Sequence, residues 1–177
     1  MDLLDFEQTE LYFDEPVSPE VECLIAMAAA NYGSDEGELM LLRANFIAPQ
    51  HLTVLVALYR YYFYQHRLED ALLVAESTLA VVGRRLEFPE VWINLREANV
   101  GEGVMRSMGL VRFYLMVLKA TGYINLRLGN NETGQAMLEK LVELDSHDRM
   151  GGKALLEVVH QSINNEGNVE RSTRWTN

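Results

Sequence analysis

The chain has 177 residues, of which 49% are apolar, so it can bury one hydrophobic core without a metal ion or a disulfide. Its 15 Lys and Arg residues stand against 26 Asp and Glu residues, and the net charge of −11 argues against nucleic acid and anionic membranes as partners. The charge is unevenly placed, because residues 1–42 contain 11 of the acids and no basic residue.

Cysteine usage and hydropathy limit the class of protein further. Cys23 is the sole cysteine, which excludes an intramolecular disulfide and a cysteine-rich metal cluster. The N-terminal residues are acidic where a signal peptide would be basic. The most apolar window, residues 110–128, is interrupted by Arg112, Lys119 and Arg127, so we expect no membrane span. These features predict a cytoplasmic protein.

Helical periodicity dominates the first half of the chain. The first helix is predicted to begin at Pro19, with Ser18 as its N-cap. Ser34 or Asp35 is predicted to cap a second helix, which Pro49 stops. Two more helices are predicted over His51–Gln65 and Leu68–Val82, the latter closed by Gly83.

The second half alternates turns with helices and ends in a polar stretch. No alternation of apolar and polar residues bounded by turns occurs, so the chain is predicted to be all-α. Residues 164–177 lack periodicity and predict a disordered tail. The other predictions are a short helix over Pro89–Arg96, a loop over Asn99–Gly103, a helix over Val104–Leu128 broken near Gly109, a helix over Thr133–Leu144 and a last helix over Lys153–Ile163.

Predicted helix pairs fit frames of 34 residues, with 18–51 and 52–85 end to end and a third frame, 115–148, after an interval of 29 residues. Residues at equivalent positions are Leu24, Gly37, Leu41, Ala44 and Pro49 in the first frame, Leu58, Tyr62 and Ala71 in the second, and Gly122, Gly129, Leu138 and Leu141 in the third. Their type and spacing resemble the tetratricopeptide repeat (TPR), which has Leu-Gly and Tyr in its first helix and Ala, a large apolar residue, Ala and Pro in its second.

This resemblance implies an α-solenoid of about three to four helix pairs plus a capping helix over residues 18–163. The stretch 86–114 is shorter than a repeat, and its Trp92 and Leu95 match only the opening of the pattern, so we expect a remodelled unit there. A helical bundle without a true repeat is the alternative. Residues 1–17 are set apart as an acidic N-terminal segment.

The sequence carries no recognisable catalytic or metal-binding constellation. No two of the four histidines lie at the one-turn spacing of a helical metal site. The acidic pairs at residues 35–36 and 69–70 lie at predicted helix starts, where they complement the helix dipole. We therefore expect a protein that is not an enzyme and that has no metal and no cofactor.

In the family that the chain resembles, the first helix of each pair lines a concave face that binds a partner. The resemblance therefore implies a groove lined by Arg60, Tyr64, Lys119, Tyr123 and Arg127. Arginine binds carboxylates through paired hydrogen bonds, and tyrosine provides rigid amphipathic contact area. We expect a non-catalytic adaptor or chaperone-like module, similar to chaperones of bacterial specialised secretion, that binds a protein or peptide. The alternative is a structural homo-oligomer, such as a homodimer, with no separate partner.

The N-terminal segment suggests a hypothesis of its own. Residues 2–15 combine six acids with six apolar side chains. That composition suits a recognition segment for a basic and apolar groove. The segment could dock into the groove of its own chain or of a neighbour, form an N-terminal helix on the first pair, or act as a solvating tail.

Overall fold

A computed structural model describes residues 15–161, and within that range every regular element is helical. The prediction of an all-α chain is therefore confirmed for the described part. Residues 1–14 and 162–177, which hold most of the acidic segment and the whole predicted tail, lie outside it. The helices are α1 (Pro19–Ala30), α2 (Asp35–Ile47), α3 (Leu52–Tyr64), α4 (Leu68–Arg85), α5 (Glu97–Arg127) and α6 (Asn131–Leu144), with a 3-10 turn (Trp92–Asn94) before α5 and further helix over residues 152–161.

The first two helices begin where the sequence predicts. The Ser18 hydroxyl accepts a hydrogen bond from the Val21 backbone N–H over 3.4 Å, ahead of Pro19 in the first helical position. The Ser34 hydroxyl accepts one from the Gly37 N–H over 3.2 Å and caps α2 in the same way. Each cap satisfies a backbone donor that the helix itself leaves unpaired.

Consecutive helices pack on one another along the chain, and α1 also contacts α3. Their apolar faces form two clusters of buried residues, one at each end of the described fold. Helix α3 contributes to both clusters, since Leu58 lies in the N-terminal one and Leu55 in the C-terminal one. Helices α4 and α5 also contribute to both clusters, through Ala71 and Ala75 on α4 and through Ile124 and Val117 on α5.

Helix α4 continues through Gly83 to Arg85, so the predicted stop at Gly83 was wrong. Gly83 is buried, and a Cβ atom added to it would lie 3.5 Å from Cε2 of Tyr114 on α5. A glycine within a helix costs about 1 kcal/mol relative to alanine. Burial of the neighbouring Val82 and Leu86 outweighs that cost, and the glycine becomes a contact point for α5.

The predicted helix over Pro89–Arg96 was also wrong, because only the turn Trp92–Asn94 is helical. Leu95 follows this turn with an extended backbone and a fully buried side chain. Its carbonyl oxygen accepts a hydrogen bond from Nζ of Lys140 over 3.2 Å. Burial and this bond to α6 hold the segment in an irregular path.

The predicted loop over residues 99–103 is instead the first part of α5. The backbone N–H of Arg96 donates to Oδ1 of Asn99 over 3.1 Å, which caps the helix start. Gly103 faces the ring of Phe88, whose Cε1 would lie 2.7 Å from an added Cβ atom. Glycine is needed here for a close side-chain contact and not for a turn.

Helix α5 contains one irregular residue, Ser107, whose φ of −160° and ψ of 106° interrupt the helical backbone. The Ser107 hydroxyl accepts a hydrogen bond from the Leu110 N–H over 3.2 Å and so caps the second part of α5. The predicted break near Gly109 is therefore present, two residues earlier than expected.

Candidate functional site

A groove runs between α1 and α3 on the surface of the fold. Alanines on α1 leave space beside α3, because a methyl side chain does not fill the gap between two helices. The α1–α3 groove is lined by Ile25, Ala28, Ala29, Tyr32, Leu41, Ala57, Arg60, Tyr61 and Tyr64, and towards the start of α3 by Val17, Glu22, Ala26 and Thr53.

Tyr61 fixes the shape of this groove. Its side chain is buried, and its hydroxyl donates a hydrogen bond to the Ser34 carbonyl oxygen over 2.8 Å. The ring packs edge to face against Tyr32 with 5.6 Å between the ring centroids. Tyr32 itself is 53% exposed at the end of α1, so it forms a rim that a ligand can touch.

A second depression, the α3–α5 pocket, lies between α3, α4 and α5. Its wall is almost entirely apolar and comes from α3, α4 and α5. Arg60 borders both this pocket and the α1–α3 groove, so its side chain lies where the two meet. The other lining residues are Leu55, Val56, Tyr59, Ala75, Thr78, Phe113, Met116, Val117 and Ala120.

Aromatic rings continue from α3 to α5 beyond the pocket. Phe63 stacks on Tyr59 with 5.7 Å between centroids, and lies 6.4 Å from Tyr123 of α5. The Tyr59 hydroxyl is buried and finds no hydrogen-bond partner among residues 15–161. Burial raises the pKa of Tyr59 above its usual value, and the nearby Tyr64 and Tyr123 raise it further.

The structure brings together four of the five predicted groove residues. Arg60 and Tyr64 line the α1–α3 groove. Tyr64 packs edge to face on Phe63, which also lies beside Tyr123. Nη1 of Arg127 donates a hydrogen bond to the Tyr123 hydroxyl over 3.0 Å. Tyr123 and Arg127 thus border the same aromatic row as Tyr64.

Lys119 is placed differently from the other four. Its Nζ donates a hydrogen bond to the Met150 carbonyl oxygen, in the turn that follows α6. Burial lowers the pKa of Lys119, and the charges of Asp148 and Asp145 partly oppose that shift. The ammonium group therefore holds this turn, and Lys119 is not among the residues that line the groove or the pocket.

Sequence reasoning missed the α1 wall of the groove. In frame 18–51 the positions equivalent to Arg60 and Tyr64 are Ala26, which lines the groove, and Ala30, which does not; Glu22 and Ala29, equivalent to Val56 and Phe63, also line it. The groove residues predicted from the sequence are all large arginine, lysine or tyrosine side chains, whereas the α1 wall includes alanines. These alanines contribute to the open space between α1 and α3.

The chain enters the described fold beside the start of α3. Glu15 accepts hydrogen bonds from Nη1 and Nη2 of Arg85 over 3.0 and 3.3 Å, and Arg85 also donates to the Gln50 carbonyl over 2.7 Å. Partial burial would raise the pKa of Glu15, but the hydrogen bond and charge of Arg85 and the charge of His51 lower it overall. The carboxylate is thereby held at the end of α4.

The described surfaces combine apolar walls with tyrosine and arginine side chains. Apolar walls, exposed tyrosines and an arginine can hold apolar side chains together with a carboxylate. Within residues 15–161 no group of three or more His, Cys, Asp and Glu side chains could hold a metal ion. None of the helices in that range has the length and apolar character that a membrane crossing requires.

Comparison with known proteins gives one informative match. An Azotobacter chroococcum mcd 1 protein, described as an uncharacterized 19.8 kDa protein in the nifW 5′ region, is 49% identical over 159 residues. The match covers 90% of this chain and 89% of the relative. No protein-family profile and no solved structure matches the chain.

Proposed function

The chain belongs to the same protein family as the 19.8 kDa protein of Azotobacter chroococcum, and we propose that it is a TPR-like helical repeat that binds a peptide segment of another protein. The binding site is the face of α3 that carries the α1–α3 groove and the α3–α5 pocket. The observation that carries this proposal is the position of Arg60, which borders both depressions among exposed tyrosines. The protein acts without catalysis, in the cytoplasm.

Close contacts at equivalent repeat positions support the TPR-like interpretation. Ala44 and Ala71 are completely buried. A Cβ atom added to Gly37 would collide with the carbonyl of Asn31, and one added to Gly134 would lie 2.8 Å from the carbonyl oxygen of Gly122. Small residues thus lie where neighbouring helices approach, as the repeat requires.

The composition of the site supports recognition of a peptide. Tyrosine and arginine contribute much of the binding energy at protein interfaces, because they combine a large contact area with directed hydrogen bonds. The lining is otherwise apolar and comes from helices held by the core, so a ligand does not have to order it. An apolar segment with a carboxylate fits these features.

The name of the relative suggests the first partner to examine. It places that protein in the nifW 5′ region. Proteins encoded side by side commonly act together. We therefore propose, as a candidate partner of this chain, the nifW product of the organism that encodes this chain. Titration calorimetry of the two purified full-length proteins would measure their association, and a peptide-display library would identify segments that bind this face.

A blocking variant on α1 tests whether the groove is used. Ala29 lines the α1–α3 groove, whereas the next residue, Ala30, is exposed and lies outside the lining. We expect Ala29→Glu to weaken binding by about tenfold or more and Ala30→Glu to leave it unchanged. Equal binding by both variants, or the absence of any bound segment, would contradict the proposal.

The exposed stripe on α2 favours homo-oligomerisation as a second candidate function. Leu39, Leu42 and Phe46 follow one face of α2, and Phe46 is 88% exposed. Apolar stripes of this kind mark contacts between proteins. Under this alternative the chain sediments as a stable dimer, and Phe46→Glu converts it to a monomer. A monomeric wild-type chain would exclude the alternative.

A further inference from the structure

The entry point of the chain lies close to the α3–α5 pocket. Glu15 is hydrogen-bonded to Arg85 near the end of α4. Thr78, which lines the pocket, lies seven residues earlier in the same helix, so the backbone positions of Arg85 and Thr78 are about 10 Å apart along the helix axis. Residues 1–14 therefore start within reach of this depression. Val17, which follows Glu15, lines the start of the α1–α3 groove.

The lining of the α3–α5 pocket indicates which kind of segment would be complementary to it. Its wall consists of apolar side chains from three helices, with Arg60 as the charged group at its edge. An occupant with apolar side chains would cover the wall, and a negative charge on it would be complementary to the charge of the guanidinium. A basic segment would place like charge beside Arg60.

The sequence of residues 1–14 meets both requirements. It contains five acids and no base, and its apolar residues are Met1, Leu3, Leu4, Phe6, Leu11, Tyr12 and Phe13. Acidic and apolar residues alternate in short groups, so charges and rings are available over its whole length. No other stretch outside the described residues has this composition, since 162–177 contains a single aromatic residue and no Leu.

We propose that residues 1–14 of the chain itself bind in the α3–α5 pocket and along α3 past Arg60. Helix α3 has 13 residues and is about 20 Å long, whereas 14 residues reach about 20 Å as a helix and about 45 Å when extended. Either conformation carries the segment from Glu15 across the pocket. The occupant belongs to the same chain, so its local concentration is high and modest contacts suffice.

This inference gives the acidic segment a regulatory role. A partner that uses Arg60 has to displace residues 1–14 before it can bind. That consequence rests on the proposed function, but the intramolecular contact does not. Binding of the segment can therefore be tested without any partner.

The test uses the full chain and a spin label. Cys23 is exposed on α1, so Cys23→Ser frees the chain for a single new cysteine, Thr9→Cys, that carries the label. The label broadens NMR signals of nearby amides. We expect loss of the signals of Tyr59, Arg60 and Met116, with the signals of α6 retained. Broadening confined to residues next to Glu15 would overturn the proposal.

Two further arms decide what occupies the pocket. The first arm mixes equal amounts of two chains, one with the spin label but no ¹⁵N and one with ¹⁵N but no spin label. If the contact is intramolecular, the signals of Arg60 and Met116 stay intact. Loss of these signals would show docking into a second copy and overturn the proposal.

The second arm uses the spin-labelled ¹⁵N chain. Replacing Phe6, Tyr12 and Phe13 by alanine should restore the signals, and the control Gln8→Ala should not. Persistent broadening in the triple variant would contradict an aromatic contact. If a partner binds the face and the signals stay broadened, the partner does not displace residues 1–14. That result would refute the regulatory role but not the intramolecular contact.

Discussion

Gly122 on α5 and Gly134 on α6 lie backbone to backbone, and a Cβ atom added to Gly134 would come within 2.8 Å of the Gly122 carbonyl oxygen. Gly134→Ala therefore has to move the two helices apart, and we expect it to lower the free energy of unfolding by about 2 kcal/mol. Urea denaturation followed by circular dichroism measures the change. Gly101→Ala is the control, because nothing lies within 4 Å of its added Cβ, and it should raise stability by about 0.5 kcal/mol through helix propensity. Equal stability of both variants would contradict the close contact.

We expect Tyr59→Phe and Tyr61→Phe, two similar substitutions on α3, to change the stability of the fold in opposite directions. Tyr59→Phe removes a hydroxyl that has no hydrogen-bond partner in the described part of the chain, so we expect stability to rise by up to about 1 kcal/mol. Tyr61→Phe removes the donor to the Ser34 carbonyl and should lower it by about 1 kcal/mol. Thermal denaturation of both proteins distinguishes the two, and a loss in Tyr59→Phe would show that its hydroxyl is bonded.

The carboxylate of Glu38 makes stability depend on acid pH. It accepts hydrogen bonds from Arg67 over 2.6 Å and from Tyr62 over 3.1 Å, and these lower its pKa below the usual 4.5, although burial partly opposes the shift. A lowered pKa means that the stabilisation is complete above the unfolded value and is lost as pH falls through the folded one. We expect Glu38→Gln to cost about 1 kcal/mol at neutral pH, with the difference from wild type shrinking below about pH 4.

The control for this pH dependence lies on the same helix. Glu36 is exposed in the first turn of α2, so Glu36→Gln should change stability by no more than about 0.5 kcal/mol. Urea denaturation at a series of pH values gives both curves. A difference between Glu38→Gln and wild type that stayed constant with pH would mean that the carboxylate is not what titrates.

The irregular residue of α5 predicts a capping effect in the middle of a helix. Ser107→Ala removes the acceptor for the Leu110 N–H and should cost about 1 kcal/mol, whereas Ser107→Asp keeps an acceptor and should stay close to wild type. Ser77→Ala, at an exposed position on α4, is the matched control with a change of no more than about 0.5 kcal/mol. Retention of full stability in Ser107→Ala would show that the cap contributes nothing.

Features set by neighbouring residues could be predicted from the sequence. The caps at Ser18 and Ser34 depend on hydroxyls that act three residues away, so the starts of α1 and α2 follow from local spacing. The predictions of a helix end at Gly83 and of a loop at Gly103 were wrong, because residues far away in the sequence determine the roles of both glycines. Tyr114 and Phe88 pack on them across the fold, and a single sequence does not show which side chain will fill the space above a glycine.

The residues of the candidate site were also predictable only in part from the sequence. The repeat positions pointed to Arg60 and Tyr64, which the structure places in the α1–α3 groove. They also pointed to Lys119, whose hydrogen bond to the Met150 carbonyl depends on a turn about 30 residues later in the chain. Helical periodicity gives the face of a helix but not the group that a long side chain finally binds.

The single helix α5 limits how this protein can be divided or lengthened. Ser107 interrupts its backbone, and the part after Ser107 runs on to Arg127, so the predicted boundary between the stretch 86–114 and the frame 115–148 falls inside this second part. A fragment ending at residue 114 would cut the second part of α5, whereas residues 86–96 lie between α4 and α5. Extra helices could be inserted after Arg85 without breaking a helix, but the second part of α5 and α6 pack on each other and have to be deleted or transplanted together.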